Sequence, residues 1–192
     1  DWLMPILNHY RREWSDVELD FATGFEPEPH HLLMGGDIDL LITTSNLPLD
    51  GISYQPLFEY ESRLVLSPTH DLAAKSSVKP KELVDETLIA YPVEAKRLDI
   101  IANFMAPAQV KFKRIRTTEL TAMLIQLVAS ERGVAALPDW VVAEYERKGW
   151  VVSRPLGNGV HCQLYAATRT SSQDTAYMQG FANLLDKIVK PV

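Results

Sequence analysis

Two clusters of hydroxyl side chains are the residues of this 192-residue sequence best placed to do chemistry. Thr43, Thr44 and Ser45 directly follow an aliphatic run from Ile38 to Ile42. Thr117 and Thr118 directly precede an apolar repeat at Leu120, Met123, Leu124, Leu127 and Val128. Hydroxyls beside the free N–H groups of a strand end or a helix start suit a small carboxylate or other anion. The competing role is local: the same residues cap turns and helices, with Thr117 or Thr118 as the N-cap of the following helix. Catalysis has no motif in support. The sequence has no Gly-x-Ser-x-Gly elbow and no glycine-rich phosphate loop. A metal is not expected either, because adjacent His30 and His31 cannot share one helical face. No other set of His, Cys, Asp and Glu falls at the spacing of a structural metal site. The single cysteine, Cys162, forms no internal disulfide, reads as a small buried hydrophobe and suits a reducing, cytoplasmic compartment.

The elements that must position these hydroxyls read as alternating helices and strands. Leu3, Ile6, Leu7, Tyr10 and Trp14 form one helical stripe, with Pro5 early enough to be tolerated. Val17, Leu19 and Phe21 alternate with Glu18 and Asp20 as a half-exposed strand. A loop from Thr23 to Pro29 leads to a short helix, His30 to Met34, closed by Gly35 and Gly36. A strand from Ile38 to Ile42 follows. This βαβ order predicts a parallel sheet, whose ligands bind beyond the carboxyl ends of the strands. Both Phe25 and the Thr43–Ser45 group stand at such ends. Further on, Lys79 to Val84 predicts a helix, Thr87 to Tyr91 a buried strand stopped by Pro92, and residues 95–105 a helix with two apolar faces. One face holds Leu98, Ile101, Ala102 and Met105. The other holds Ile100 and Phe104 and is left over for a partner. Lys111 to Arg116 and Val134 to Leu137 read as strands, the second ended by Pro138, and Trp140 to Arg147 as a helix. Val151 and Val152 open a short strand and Gly157-Asn158-Gly159 a tight turn. The last helix carries Tyr177, Phe181, Leu184, Leu185 and Ile188.

Two stretches read as crossovers. From Ile52 to Tyr60 the strand alternates, and from Leu64 to Leu66 it is continuously apolar, so one strand leaves a half-wet sheet and enters a buried one. Gln163 to Thr168 is the second. The expected architecture is α/β, with two Rossmann-like subdomains joined by two hinge strands. Residues 1–61 plus 165–192 form the first and residues 62–164, inserted in it, the second. Net charge is -6, which argues against a nucleic-acid surface on this stretch. No run of about 18 apolar residues spans a membrane, and no signal peptide is recognised.

The order of elements and five motifs resemble the effector-binding domain of LysR-type bacterial transcriptional regulators. The motifs are Leu3-Met4-Pro5-Ile6-Leu7, Gly36-Asp37-Ile38-Asp39-Leu40, Pro56-Leu57-Phe58 with Leu64-Val65-Leu66, Pro68-Thr69-His70-Asp71-Leu72-Ala73, and Gly133-Val134-Ala135-Ala136-Leu137-Pro138. Asp71 replaces the family's usual Pro, and Glu131 stands where a Gly is frequent. Tyr91-Pro92-Val93, Arg97-Leu98-Asp99 and Trp140-Val141-Val142 are similar to the branch that controls methionine biosynthesis and responds to homocysteine. The resemblance implies a type 2 periplasmic-binding-protein-like fold, no enzyme activity, no cofactor and a homodimer or homotetramer. It also implies DNA contact only through an N-terminal helix-turn-helix domain that this chain lacks, together with the domain's first strand. A small effector, homocysteine in that branch, would lie in the cleft between subdomains. Its carboxylate would meet Thr43, Thr44 and Ser45 on one side and Thr117 and Thr118 on the other. Glu119 or Glu26 would accept from the ammonium. Phe25, Tyr91 and Pro138 would wall the thiol arm. The implied side-by-side dimer would use Leu3 and Tyr10 of the opening helix against Ile100 and Phe104. A periplasmic-type solute-binding protein for a small amino acid or anion is the alternative, and an enzyme on the same scaffold a further one.

Overall fold

The computed structural model describes residues 2–22 and 29–189, the last four by backbone alone. In chain order the elements are α1 (Leu3–Glu13), α2 (Pro29–Gly35), β1 (Leu40–Thr43), β2 (Ile52–Leu66), β3 (Thr87–Ala90), β4 (Arg114–Thr117), α3 (Thr121–Ala129), β5 (Ala135–Pro138), α4 (Asp139–Arg147), β6 (Val152–Arg169) and α5 (Ala176–Val189). They divide into two compact units: residues 1–59 with 163–192, and residues 60–162. Both long strands, β2 and β6, run through the point where the chain passes from one unit to the other.

In the first unit β1 pairs antiparallel with the end of β6, from Leu40 opposite Thr168 to Thr43 opposite Tyr165. One face of this sheet packs Ile52, Ala167, Leu41 and Tyr54 against Leu33 of α2. Apolar residues of α1 and α5 form a second layer. Ile6, Leu7 and Tyr10 are buried, as are Phe181, Leu184 and Leu185. The Tyr10 hydroxyl donates to the Tyr177 carbonyl at 2.8 Å, and its ring meets Phe181 edge-on. Arg169, at the end of β6, gathers the loop after α2. Its guanidinium donates to the carbonyls of Leu33 and Ile38 and to the Asp39 carboxylate. A planar fork with five donors suits that three-way task, since it satisfies a carbonyl that the end of α2 leaves unpaired.

In the second unit β3 and β4 pair in parallel, from Thr87 opposite Arg114 to Ala90 opposite Thr117, and Leu88 bridges in parallel to Val134. β5 pairs antiparallel with residues 62–65 of β2. Leu64, Val65 and Leu66 are fully buried, as the continuous apolar run requires. Gly133 makes the entry to β5 possible. Its φ is +148°, and a Cβ there would lie 2.3 Å from the Thr87 carbonyl oxygen.

Several expected elements take a different form. Val17, Leu19 and Phe21 lie in no strand; the chain there turns, Val17 donating to the Trp14 carbonyl and Phe21 N–H to Asp20 Oδ1. The helix expected from Lys79 is one 3₁₀ turn, Pro80–Leu83. Residues 95–105 are a 3₁₀ turn, Ala95–Arg97, and then a π-helical turn, Ile100–Met105. There the Ala106 N–H reaches back to the Ile101 carbonyl. The i→i+5 winding widens the turn and brings residues 100, 104 and 105 to one side. Ile100, Phe104 and Met105 are therefore all buried in this unit's own core, so Ile100 and Phe104 are not left over on a second face. Tyr10, expected at the same interface, is also spent internally at 1% exposure, and Leu3 is half-buried. Gly157-Asn158-Gly159 does not reverse the chain. It sits inside β6 with positive φ at both glycines, while the Gly157 N–H donates to the Val78 carbonyl. That is a local kink in a continuing strand.

Candidate functional site

β1 ends in Thr43, which is buried and accepts the Ser45 N–H at its Oγ1, 3.1 Å away. This side-chain-to-backbone bond turns the chain sharply out of the strand. It leaves Thr44 exposed and Ser45 half-buried. Asn46, next in the chain, donates from Nδ2 to the Tyr165 hydroxyl at 3.2 Å. Thr43 and Tyr165 are directly opposed in the β1–β6 ladder, so their side chains share one face of the sheet. On that face Tyr165 meets Tyr54 edge-on at 6.3 Å, and Tyr54 meets His30 of α2 at 6.1 Å. The first unit thus brings the expected hydroxyl group beside an aromatic cluster. Phe25 and Glu26 lie outside the described residues.

The second unit gathers its own expected residues at one end. β3 and β4 are parallel, and β5 enters through a parallel bridge to β3, so Ala90, Thr117 and Pro138 mark three carboxyl ends on the same edge. Tyr91 follows β3 and shares a 2.7 Å hydrogen bond with Thr121 Oγ1, in the first turn of α3. Burial pushes the Tyr91 phenol up from its ordinary range and the Thr121 bond opposes this, so the ring stays neutral. Thr118 donates its backbone N–H to the Ala90 carbonyl at 3.0 Å, which fixes the loop between β4 and α3.

Thr117 or Thr118 was the expected helix cap, but α3 begins at Thr121 behind Leu120, and no side chain caps it. The helix starts late because the backbone of Thr118 is engaged by β3. In consequence the buried stripe is Leu124, Ile125 and Val128, while Leu120 and Met123 are 66% and 51% exposed. Thr117 and Glu119 are exposed and Pro138 is half-buried. The hydroxyls of Thr117 and Thr118 are thereby released from capping. Thr121, Asn46, Tyr54 and Tyr165 were not singled out in the sequence. Tyr54 and Tyr165 carried a usable signal, since both are aromatic positions on the two expected crossover strands.

A cavity of about 380 Å3 in the first unit is separate from this arrangement. Leu40, Ala166 and Thr168 line it with α5 residues. Strand alternation puts these on the face opposite Thr43 and Tyr165. Among the described residues no group of three or more His, Cys, Asp and Glu could hold a metal.

The LysR substrate binding domain model matches residues 1–188, and the chain belongs to that family. Within it, the chain is 43% identical over 180 residues to the HTH-type transcriptional regulator MetR of Escherichia coli K12, covering 94% of this chain and 56% of that protein. The chain thus spans about half the length of the curated relatives it matches. Its structure resembles the regulatory domain of MetR from N. meningitidis with a TM-score of 0.85 and 42% identity, covering 98% of this chain and 87% of that one. The effector binding domain of QuiR, solved in complex with shikimate, shares the fold at TM-score 0.79 and 16% identity, over 96% of this chain and 88% of that one. The expected periplasmic-binding-protein-like α/β architecture is therefore correct. Among the described residues no helix is long and apolar enough to cross a membrane.

Proposed function

We propose that this chain is the effector-sensing domain of a LysR-family transcriptional regulator of methionine biosynthesis, and that its effector is homocysteine or a related sulfur amino acid. The similarity to MetR along nearly the whole chain carries this reading. The effector-binding residues come from both units, which β2 and β6 link. Thr43, Thr44 and Ser45 receive its carboxylate from one unit. Thr117, Thr118 and the α3 start meet it from the other, Glu119 accepts from the ammonium, and Tyr91, Pro138 and Phe25 enclose the arm. The second unit supports this by presenting its hydroxyls and Tyr91 at one edge.

The chain acts as a sensor rather than an enzyme. Effector binding favours one closure state, and that state couples to the arrangement of subunits and so to DNA held by a separate helix-turn-helix domain. A coupling of about 1–3 kcal/mol is enough for regulation. The whole protein works in the cytoplasm as a homodimer or homotetramer. Ile100, Phe104 and Tyr10 are buried within their own units. Similarity to a regulator favours this reading over a solute-binding protein of the same architecture. Calorimetric titration of the intact protein with homocysteine, methionine and cysteine tests it. Saturable homocysteine binding, with the ligand recovered unchanged, is expected. Absence of heat with all three would reject the effector assignment.

A further inference from the structure

We propose that the basic edge strand β4 of one copy of this chain docks on the acidic segment 16–21 of a second copy, and that opposite charges set the register of the contact. This names the surface through which the sensor described above self-associates, and it rests on that reading only in taking the protein to be an oligomer.

β4 is an edge strand: among the described residues it pairs with β3 alone, and all four of its residues are exposed. A strand in a finished sheet ordinarily rests at least one face on a core. Lys111, Lys113, Arg114 and Arg116 are exposed together here. Among the described residues the ion pairs lie elsewhere, so these cations stand side by side without an acidic partner. Ile115, between the two arginines, is 43% exposed, and Leu120 and Met123 follow it on the surface.

The first unit carries the complementary pattern. Asp16, Glu18 and Asp20 are exposed and alternate with Val17, Leu19 and Phe21. Ser15 Oγ donates to Asp16 Oδ1 at 3.4 Å and the Phe21 N–H to Asp20 Oδ1 at 2.7 Å, but among the described residues no cation meets the three carboxylates. Residues 18–22 form no ladder with a described strand, and Phe21 is 51% exposed.

A polyanion would use the cations of β4 but leave Ile115, Leu120 and Met123 wet. A second copy accounts for both, since acid and apolar side chains alternate in the segment it offers. One exposed ion pair is worth little. Several of them around apolar side chains that shed water steer the encounter and fix its register. Each copy holds both halves, so two copies can exchange the contact reciprocally. β4 ends in Thr117, one of the hydroxyls assigned to the effector, so the docked strand and the effector share one element.

Sedimentation of the intact protein tests the assignment. Lys113→Glu with Arg116→Glu should weaken self-association at least about tenfold at low salt, and Glu18→Lys with Asp20→Lys should do the same. Mixed in equal amounts, the two variants should associate with each other to within about threefold of the unaltered strength, because each reversed surface then meets its opposite. Salt at about 0.5 M should weaken the unaltered protein's association. Unaltered association of either variant by itself overturns the proposal, and so does weakening of both without recovery in the mixture. If a reversed variant does not fold, the neutral pair Lys113→Gln with Arg116→Gln decides, and unchanged association in that variant overturns the proposal. Homocysteine titration of the same variants reports on the sensor reading separately, so the two can fail independently.

Discussion

At the scale of single residues, a polar knot at the start of the second unit joins four side chains. The buried Tyr60 hydroxyl donates to Asp99 Oδ2 at 2.7 Å, and Asn103 Nδ2 lies 3.8 Å from Cys162 Sγ. Tyr60 is on β2 and Cys162 on β6, so the knot fastens both long strands to the π-helical turn and the residue before it. Burial foremost, with the nearby Asp99 carboxylate, raises the Cys162 thiol from its ordinary 9.0 to about 11. The native thiol therefore stays protonated where an unfolded one has ionised. Its contribution to stability is complete below about pH 9 and is lost as pH rises through about 11. Alkylation at pH 9 should be at least about tenfold slower in native protein than in urea, because only the thiolate reacts. Equal rates would show that Cys162 is neither buried nor held. The sequence reading of Cys162 as a small buried hydrophobe was half right. It is half-buried, and its polar neighbours come from residues far away in the chain, which no local pattern reveals.

At the scale of elements, the two long strands were readable because burial regime is written in the strand period. Alternation from Ile52 followed by the run at Leu64 to Leu66 marked the change, and the structure carries one continuous strand through it. The carboxyl-end hydroxyls were readable for the same reason. What escaped was winding and pairing. The 95–105 stretch has two apolar faces, a pattern that a regular helix leaves half exposed. A π turn buries Ile100, Phe104 and Met105 together, and nothing in the spacing separates the two outcomes. Phe104→Ala should consequently lower the stability of the domain by about 3 kcal/mol, seen as an earlier urea midpoint. An unchanged midpoint with weakened self-association would restore the interface role. The start of α3 was misplaced likewise, because the bond from Thr118 to Ala90 is a tertiary one that capping preferences do not foresee. The Thr–Tyr pairing across β1 and β6 depends on register, which is set by strands separated along much of the chain.

At the scale of the whole molecule, a net charge of -6 disfavours a polyanion, although Lys111, Lys113, Arg114 and Arg116 are exposed together leading into and along β4. The chain alone should not shift a DNA duplex in a gel at physiological salt, and retention there would place a DNA surface on this domain. The division into units has a consequence for how the chain becomes native. Residues 60–162 are contiguous, so the second unit can assemble from one uninterrupted stretch while the rest is still emerging from the ribosome. In the first unit, among the described residues, β1 pairs with β6, Leu40 opposite Thr168, so that pairing forms only after most of the chain is made. Such long-range closure is slow, and it leaves an early strand with open edges in the meantime. The inserted unit can thus be complete before the end of β6 and α5 close the other unit.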